Sequence, residues 1–349
     1  MRRLPIYFLI DVSESMIGEP IEQVESGMAT VINELRADPY ALETVWLSII
    51  AFAGKSKKIT PLMELTNFYP PKLPVGGGTS LGNALEFLMN DIDTNIVQNS
   101  TTRKGDWKPI VFLLTDGSPT DNVGPAIDRW NNYYRRRATM IAVSMSNNRD
   151  NAALVRLTDT VLTFKNDGEL SYKQFFKWVT TSIKISSVSV AENNTEGGQL
   201  AKTDASVLEK IDLSKTLPAP TYDPNIAVFM GKCQRMRRPY LIKYEQVTMP
   251  SERQDMMHRF YLLSGSYAIE EKVYADMSDT KPLNSRVNTA DLQGFPACPC
   301  CGNPFGFTLC QCGNIMCTGN ESVSQCPNCG IQGSYGVAEG HIDVKRTRG

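Results

Sequence analysis

The chain has 349 residues, of which 42% are hydrophobic and 21% charged, and its 36 Lys and Arg residues nearly balance 37 Asp and Glu residues. This length is enough for two domains, since single cores stop growing at roughly 250–300 residues. The formal net charge of -1 excludes a field over the whole chain that would attract nucleic acid or an anionic membrane. Any partner must therefore be recognised by a local site.

The first apolar run follows two arginines, as the apolar part of a signal peptide would. Asp11 ends this run after seven residues, and no small-residue cleavage pattern follows. We therefore predict a first β-strand at residues 4–10. No stretch approaches the roughly 20 apolar residues that a membrane helix needs. Lacking an export signal, the protein is expected in the cytoplasm.

Up to about residue 187, strand patterns alternate with helix patterns. Apolar runs rich in β-branched and aromatic residues are typical of strands buried on both faces. These runs are residues 4–10, 44–52, 109–115 and 139–145. Apolar residues at three- and four-residue steps predict helices within residues 21–35 and 81–92. The alternation predicts a doubly wound α/β domain, residues 1–187, with a mostly parallel sheet covered on both sides.

The composition changes after this domain. Residues 188–224 have few aromatic residues and many Ser, Thr, Asn, Gly and Pro, which predicts a linker with one short helix near residues 204–211. Strand-like runs follow and lead into a cluster of cysteines. Residues 225–349 are therefore predicted to form a second, small, β-rich domain that depends on its cysteines.

Three oxygen-rich loops lie at the predicted ends of strands: DVSES at residues 11–15, GGGTS at 76–80 and TDGSPTD at 115–121. In an open parallel sheet, ligands bind at the carboxyl ends of strands where neighbouring connections leave to opposite faces. Asp11 and Asp116 are expected to face each other there, and the glycine run allows Thr79 to come close. Hydroxyls and carboxylates are hard oxygen ligands, which suit magnesium or manganese.

This set of residues resembles the metal-ion-dependent adhesion site of von Willebrand factor A domains. The five family positions are present in the family's order as Asp11, Ser13, Ser15, Thr79 and Asp116. The resemblance covers about 187 residues, and it implies that the two serines and the threonine contact the cation directly. The two aspartates would hold it largely through water. One coordination position would remain open for an acidic group of a partner protein.

Two other interpretations of the same residues are weaker. Ser13 and Ser15 could cap a helix or turn, and Asp116 could begin an Asx-turn. Phosphatases of the haloacid-dehalogenase type also begin from an aspartate after a first strand, but they need a carboxylate two residues later. That position is Ser13 here, and a hydroxyl cannot carry that proton transfer near neutral pH.

Eight of the nine cysteines lie between residues 298 and 329, where CPCCG and CPNCG form two CxxCG knuckles. Such knuckle pairs predict one or two structural zinc ions. The predicted ligands are Cys298, Cys301, Cys310, Cys312, Cys317, Cys326 and Cys329, with Cys300 as a spare. Two ions need eight ligands, and the candidates for the eighth are Cys233, His258 and His341. The sequence leaves the pairing open.

A von Willebrand A domain followed by this cysteine module is similar to the TerY-type bacterial proteins associated with tellurium resistance. The resemblance implies a non-enzymatic adaptor that acts in stress signalling beside a Ser/Thr kinase and a metal-dependent protein phosphatase. If a kinase is a partner, hydroxyls of the linker are candidate phosphorylation sites. These hydroxyls are Thr195, Thr203, Ser206, Ser214, Thr216 and Thr221.

Two alternative functions use the cysteine cluster differently. A RING-like ubiquitin-family ligase would need four paired knuckles, whereas Cys317 has no close partner in the sequence. A nucleic-acid-binding zinc protein would use the basic runs at residues 133–138, 234–243 and 345–349, although such runs are more often solvated faces. Neither nucleic acid nor a membrane is therefore expected as a partner.

Overall fold

The computed structural model describes most of the chain. The described residues are 2–102, 104–116, 118–145, 151–164, 169–191, 200–202, 208–210, 224–250, 257–279, 285–321, 323–336 and 341–347. The six candidate phosphorylation sites of the predicted linker lie outside these ranges.

The N-terminal domain is built on a seven-stranded sheet. Its strands are β1 (Leu4–Asp11), β2 (Val45–Phe52), β3 (Ser56–Glu64), β4 (Ile110–Thr115), β5 (Thr139–Ser144), β6 (Val161–Phe164) and β7 (Leu208–Lys210). They lie in the order β3-β2-β1-β4-β5-β6-β7. The two edge strands are antiparallel to their neighbours, and every other pair is parallel. The predicted doubly wound, mostly parallel sheet is confirmed.

Helices cover both faces of this sheet. They are α1 (Glu19–Arg36), α2 (Pro39–Thr44), α3 (Leu81–Asn95), α4 (Gly124–Arg129), α5 (Ala152–Leu157) and α6 (Glu169–Ala191). Because successive strand residues point to opposite faces, Phe8 and Ile10 pack in one core with α1 and α6. Tyr7 and Leu9 pack in the other core with α3 and α4. Within the described ranges, no helix combines the length and the apolar character needed to cross a membrane.

The edge strands differ from the predicted elements. β3 was not predicted, and β7 lies inside the predicted linker, where a short helix was expected. β7 pairs with β6, so pairing at an open sheet edge outweighs the local helix preference of this segment. α6 also continues to Ala191, past the predicted domain end at residue 187.

The C-terminal domain is β-rich, as predicted. Its elements are β8 (Ile226–Lys232), β9 (Pro239–Pro250), β10 (Met257–Ala268), α7 (Glu271–Met277), β11 (Arg286–Asn288), β12 (Leu292–Gln293), β13 (Phe305–Leu309), β14 (Ile315–Thr318), β15 (Ser324–Gln325), β16 (Gln332–Gly333) and β17 (Asp343–Lys345). A six-stranded sheet has the order β12-β10-β9-β8-β14-β13, and β11–β17 and β15–β16 form two small ladders.

The six-stranded sheet has a different environment on each face. Phe229 and Ile242 point into the core that contains the cysteines. Val228 and Leu241 point the other way and pack against Ile17, which follows the first loop of the N-terminal domain. The second face therefore docks this sheet onto the edge where β1 and β4 end.

Helix α7 extends this contact between the domains. Met277, at its end, is 1% exposed and packs within the N-terminal core. Its backbone oxygen accepts a hydrogen bond from the Lys55 amide at 2.9 Å. The Met277 side chain therefore belongs to the C-terminal domain but is buried in the core of the N-terminal domain.

We expect Met277→Ala to weaken the docking of the two domains. Truncation of a fully buried methionine typically costs about 2–5 kcal/mol, because it leaves a cavity. Small-angle X-ray scattering should show a larger radius of gyration, and thermal unfolding should show the two domains melting more independently. Met249→Ala, at a methionine that is 52% exposed on β9, is the matched control and should change neither quantity. Identical behaviour of both variants would contradict the docking role of Met277.

Candidate functional site

The first candidate site lies at the carboxyl ends of β1 and β4, which are adjacent in the sheet. Both carboxylate oxygens of Asp11 are fixed by hydrogen bonds. Oδ1 accepts from the Ser13 amide at 2.9 Å, and Oδ2 accepts from the Thr115 hydroxyl at 2.6 Å. The carboxylate is thus held in one orientation at the point where the two strands diverge.

Hydroxyl groups connect this aspartate loop to the aspartate after β4. The Ser13 and Ser15 Oγ atoms are 3.0 Å apart, and the Ser15 hydroxyl donates to Asp116 Oδ1 at 3.0 Å. These three side chains are 0%, 2% and 7% exposed. The structure therefore brings the DxSxS residues and the second aspartate into one buried group of oxygen atoms.

The loop that carries Thr79 lies beside this group. Ser13 forms a parallel bridge with Gly76, so the two loops run side by side. Thr79 is held by its backbone, because its amide donates to Thr120 Oγ1 at 2.9 Å and its oxygen accepts from the Thr120 amide at 2.8 Å. All five predicted positions therefore lie at one edge of the sheet, and Thr79 is 3% exposed.

The donor atoms of this site suit a cation. Burial raises the pKa of Asp11 to about 6, although hydrogen bonds from Thr115 and Ser13 favour the ionised form. A bound cation would favour that form further, so cations and protons compete at this carboxylate near pH 6. Hydroxyls and carboxylates are also the ligands that hard divalent cations prefer. The residues present therefore fit a divalent cation.

Two residues of this site were not found from the sequence. Thr115 orients Asp11, and its position at the end of a strand predicted to neighbour β1 was the available signal. Glu14, inside the DxSxS motif, is fully buried and is hydrogen-bonded to the Tyr274 hydroxyl of the C-terminal domain. No signal in the sequence pointed to that contact, because it joins residues of different domains.

The second candidate site consists of two clusters of four cysteines. Within each cluster the sulfur atoms lie within 4.8 Å of one another, so each cluster could hold a metal ion. The first cluster is Cys233, Cys298, Cys301 and Cys317, and the second is Cys310, Cys312, Cys326 and Cys329. The seven predicted cysteines are divided between the clusters, and Cys233 supplies the eighth thiol.

Cys233 lies in a turn with the same backbone hydrogen bonds as the two CxxCG knuckles. The Cys233 amide donates to the Arg238 oxygen at 2.8 Å, and the Arg237 amide donates back to the Cys233 oxygen at 3.0 Å. Cys298 and Cys326 make the equivalent pairs of bonds. This turn is therefore a third knuckle, with a single cysteine.

The residue at the left-handed position explains why this knuckle was missed. Gly302 and Gly330 have φ values of 75° and 78°, and Arg237 takes their place with φ of 58°. Glycine adopts such angles without the steric cost that a side chain adds. The third knuckle therefore lacks both sequence signals, the second cysteine and the glycine.

The other candidate ligands lie outside both clusters. Cys300 belongs to neither of them, and the His258 side chain is exposed on β10, with its ring 6.0 Å from that of Phe260. His341 also belongs to neither cluster and is exposed. The ligands of the two clusters alternate along the chain, because Cys317 of the first cluster lies between Cys312 and Cys326 of the second. A RING domain has a similar alternation, called a cross-brace. Cys317, however, is completed by a cysteine from the turn that follows β8 rather than by a close neighbour.

The thiols within the clusters differ in their pKa values. Burial raises the pKa of Cys317 to about 11. At Cys310 burial acts in the same direction, but it is outweighed by hydrogen bonds from the Cys312 backbone and nearby side chains, which lower the pKa to about 6. Metals bind thiolates, so loading the first cluster must release protons. Metal affinity is therefore expected to rise with pH.

Comparison with known families agrees with this geometry. Residues 6–177 match the von Willebrand factor type A domain, so the N-terminal domain, with its doubly wound sheet, is of the von Willebrand A class. Residues 223–349 match the TerY-C metal binding domain. The chain thus joins a von Willebrand factor type A domain to a TerY-C metal-binding domain, as in TerY-type proteins. Domains of both kinds are typically non-catalytic interaction modules.

Curated relatives match about a third of this chain. Inter-alpha-trypsin inhibitor heavy chain H1 of Bos taurus is 25% identical over 121 residues, which are 34% of this chain and 13% of that protein. An uncharacterized protein of Synechocystis sp. is 30% identical over 125 residues, which are 33% of this chain and 26% of that protein. The chain therefore spans a minor part of the length of these relatives.

The solved structures that match this chain cover about half of it. The pilus adhesin SpaC of Lactobacillus rhamnosus GG has a TM-score of 0.42 at 12% identity, covering 53% of this chain and 31% of its own. Proximal thread matrix protein 1 of the mussel byssus, with a zinc-occupied MIDAS motif, has a TM-score of 0.39 at 16% identity, covering 53% and 46%. A von Willebrand factor type A structure from Catenulispora acidiphila has a TM-score of 0.36 at 16% identity, covering 52% and 43%.

Proposed function

We propose that this chain is a non-enzymatic adaptor that binds Mg²⁺ or Mn²⁺ at the ends of β1 and β4 and uses the ion to hold a carboxylate. The buried group of oxygen atoms formed by Asp11, Ser13, Ser15 and Asp116 carries this proposal. A donor set made of hydroxyls and carboxylates suits a hard cation. Because several of the direct ligands are neutral, the ion remains strongly attractive to an incoming carboxylate.

We further propose that each cysteine cluster holds a zinc ion. Four thiolates around one point form the closed tetrahedral set that is typical of structural zinc. A closed set leaves no position for water or substrate, so its role would be to stabilise the fold. Reduced thiols of this kind persist in the cytoplasm, which is where we place the protein.

The proposed partners follow from the TerY-type family. They are a Ser/Thr kinase and a metal-dependent protein phosphatase, which the adaptor would bring together in a stress-response complex of the tellurium-resistance type. The charge distribution is consistent with protein partners. In the basic run at residues 133–138, Arg135 and Arg137 form ion pairs with Asp159 and Asp93. Arg346 of the tail is 2% exposed, so it is not available to phosphates.

The proposal is tested by capturing partners with the wild-type chain and with Asp11→Ala. We expect the wild type to recover the kinase and the phosphatase from host lysate in Mg²⁺, but not in excess chelator, because the partner carboxylate binds through the ion. Asp11→Ala should recover neither protein under either condition. Mass spectrometry identifies the captured proteins. Equal recovery by both chains, or recovery that ignores the chelator, would contradict the proposal.

A further inference from the structure

The C-terminal domain covers the loops that carry the proposed cation site. We call residues 271–279, which comprise α7 and the next two residues, the strap. The Gly77 amide donates to Ser278 Oγ at 2.8 Å, and the Gly77 oxygen accepts from the Asp279 amide at 3.3 Å. The Lys55 amide bonds to the Met277 oxygen at 2.9 Å. The strap is thus fixed to two loops of the N-terminal domain at once.

The glycines of these loops fit the strap closely. A Cβ atom on Gly54 would lie 2.1 Å from the Asp279 amide nitrogen, and one on Gly76 would lie 2.5 Å from Met277 Cβ. A Cβ atom on Gly77 would lie 2.8 Å from the Tyr274 hydroxyl. Side chains other than hydrogen would therefore push the strap away. The glycine run was predicted to let Thr79 approach the cation. In the structure, these small residues also let the strap pack closely against the loop.

The strap brings a carboxylate beside the loop that carries Thr79. Asp279 Oδ2 lies 3.5 Å from the position of a Cβ atom on Gly78, the residue that precedes the predicted ligand Thr79. Asp279 is half-buried, whereas Asp276, on the same strap, is exposed. Met277 is buried between them. The anchoring of the strap thus fixes Asp279, and not Asp276, beside this loop.

We infer that Asp279 is the acidic group that completes the cation site, so that the C-terminal domain occupies the position expected for a partner's carboxylate. This inference rests on the proposed function, because it requires a cation at that site. An internal ligand competes at a high effective concentration, which reaches the millimolar range even for short flexible tethers. The carboxylate of a second protein would then have to compete with Asp279 for the ion.

The test measures metal binding by the full chain without any partner. Isothermal titration with Mg²⁺ gives the affinity, and water proton relaxation with Mn²⁺ reports the number of exchangeable waters on the bound ion. We expect Asp279→Asn to weaken Mg²⁺ binding about tenfold, a loss typical of perturbed metal sites, and to add a water to bound Mn²⁺. Asp279→Glu keeps a carboxylate and should retain most of the affinity. Asp276→Asn, the matched control, should behave as wild type.

The outcomes separate this inference from the proposed function. If Asp279→Asn and wild type bind Mg²⁺ equally and carry the same number of waters, while Asp11→Ala does not bind, the inference is overturned and the cation site stands. If the wild type does not bind Mg²⁺ or Mn²⁺, the proposed function fails, and the inference fails with it. Circular dichroism of each variant shows whether a loss of binding reflects unfolding.

Discussion

Removal of the metal from the cysteine clusters is expected to unfold the C-terminal domain. Three of the four thiols of the first cluster, Cys233, Cys298 and Cys317, are buried in the same core as Phe229 and Ile242. Without an ion, the metal–thiolate bonds that link these cysteines at the centre of the domain are lost. Binding of structural zinc contributes about 10–16 kcal/mol in small zinc domains, which is as large as the net stability of a typical domain.

The measurement is thermal unfolding with a zinc-selective chelator while Mg²⁺ is kept in excess, so that the other site stays loaded. We expect the transition of the C-terminal domain to disappear and that of the N-terminal domain to remain, since its two cores contain no cysteine. Elemental analysis should find two zinc ions for each wild-type chain.

Single variants refine this test. Cys317→Ser should lose zinc from the first cluster and lower the melting temperature of the C-terminal domain strongly. Cys300→Ser is the matched control, because this cysteine belongs to neither cluster, and it should keep both ions. An unchanged transition after chelation, or equal effects of the two variants, would show that the clusters do not hold structural metal.

Thr79→Ala and Asp11→Ala are expected to abolish cation binding and to leave the N-terminal domain folded. Thr79 keeps its loop in place through backbone bonds to Thr120, so its hydroxyl can be removed without moving the loop. Loss of Asp11 removes the acceptor of two hydrogen bonds, from the Thr115 hydroxyl and the Ser13 amide, which costs about 1–3 kcal/mol. The same change removes a carboxylate whose burial is unfavourable, and the two effects oppose each other.

The binding of the cation appears as a change in stability. At a Mg²⁺ concentration of about 100 times Kd, the ion should stabilise the wild-type domain by about 2.7 kcal/mol. Neither variant should gain this stabilisation. Thr30→Ala, which removes an exposed hydroxyl bonded to the Ser26 oxygen of its own helix, should respond to Mg²⁺ as the wild type does. If Thr79→Ala were stabilised by Mg²⁺ as much as Thr30→Ala, the cation would bind elsewhere.

The residues of the site at β1 and β4 are buried. Asp11 and Ser13 are fully buried, and Thr79 is 3% exposed. The C-terminal domain bonds to Glu14 and Gly77 in the loops of this site. The surroundings of the site therefore include a domain that local sequence patterns do not relate to it.

The sequence by itself determined the elements whose signals are local. The apolar runs gave the central strands, because a strand buried on both faces needs apolar residues at successive positions. In α1 the residues at three- and four-residue steps are the ones buried in the structure. The order of strand ends also placed Asp11 beside Asp116, since adjacent parallel strands end at the same edge.

Only the tertiary structure decided the features that join distant segments. Cys233 is 84 residues from Cys317 in the chain, yet their sulfur atoms are 3.9 Å apart, and its knuckle carries neither a second cysteine nor a glycine. β7 formed because a sheet edge offered partners that its own sequence does not reveal. Asp279 lies beside Gly78, and Met277, two residues before it, fills a space in the other domain. Packing between domains depends on the shapes of both surfaces. The residue periodicity of one segment does not reveal the shape of the surface against which it packs.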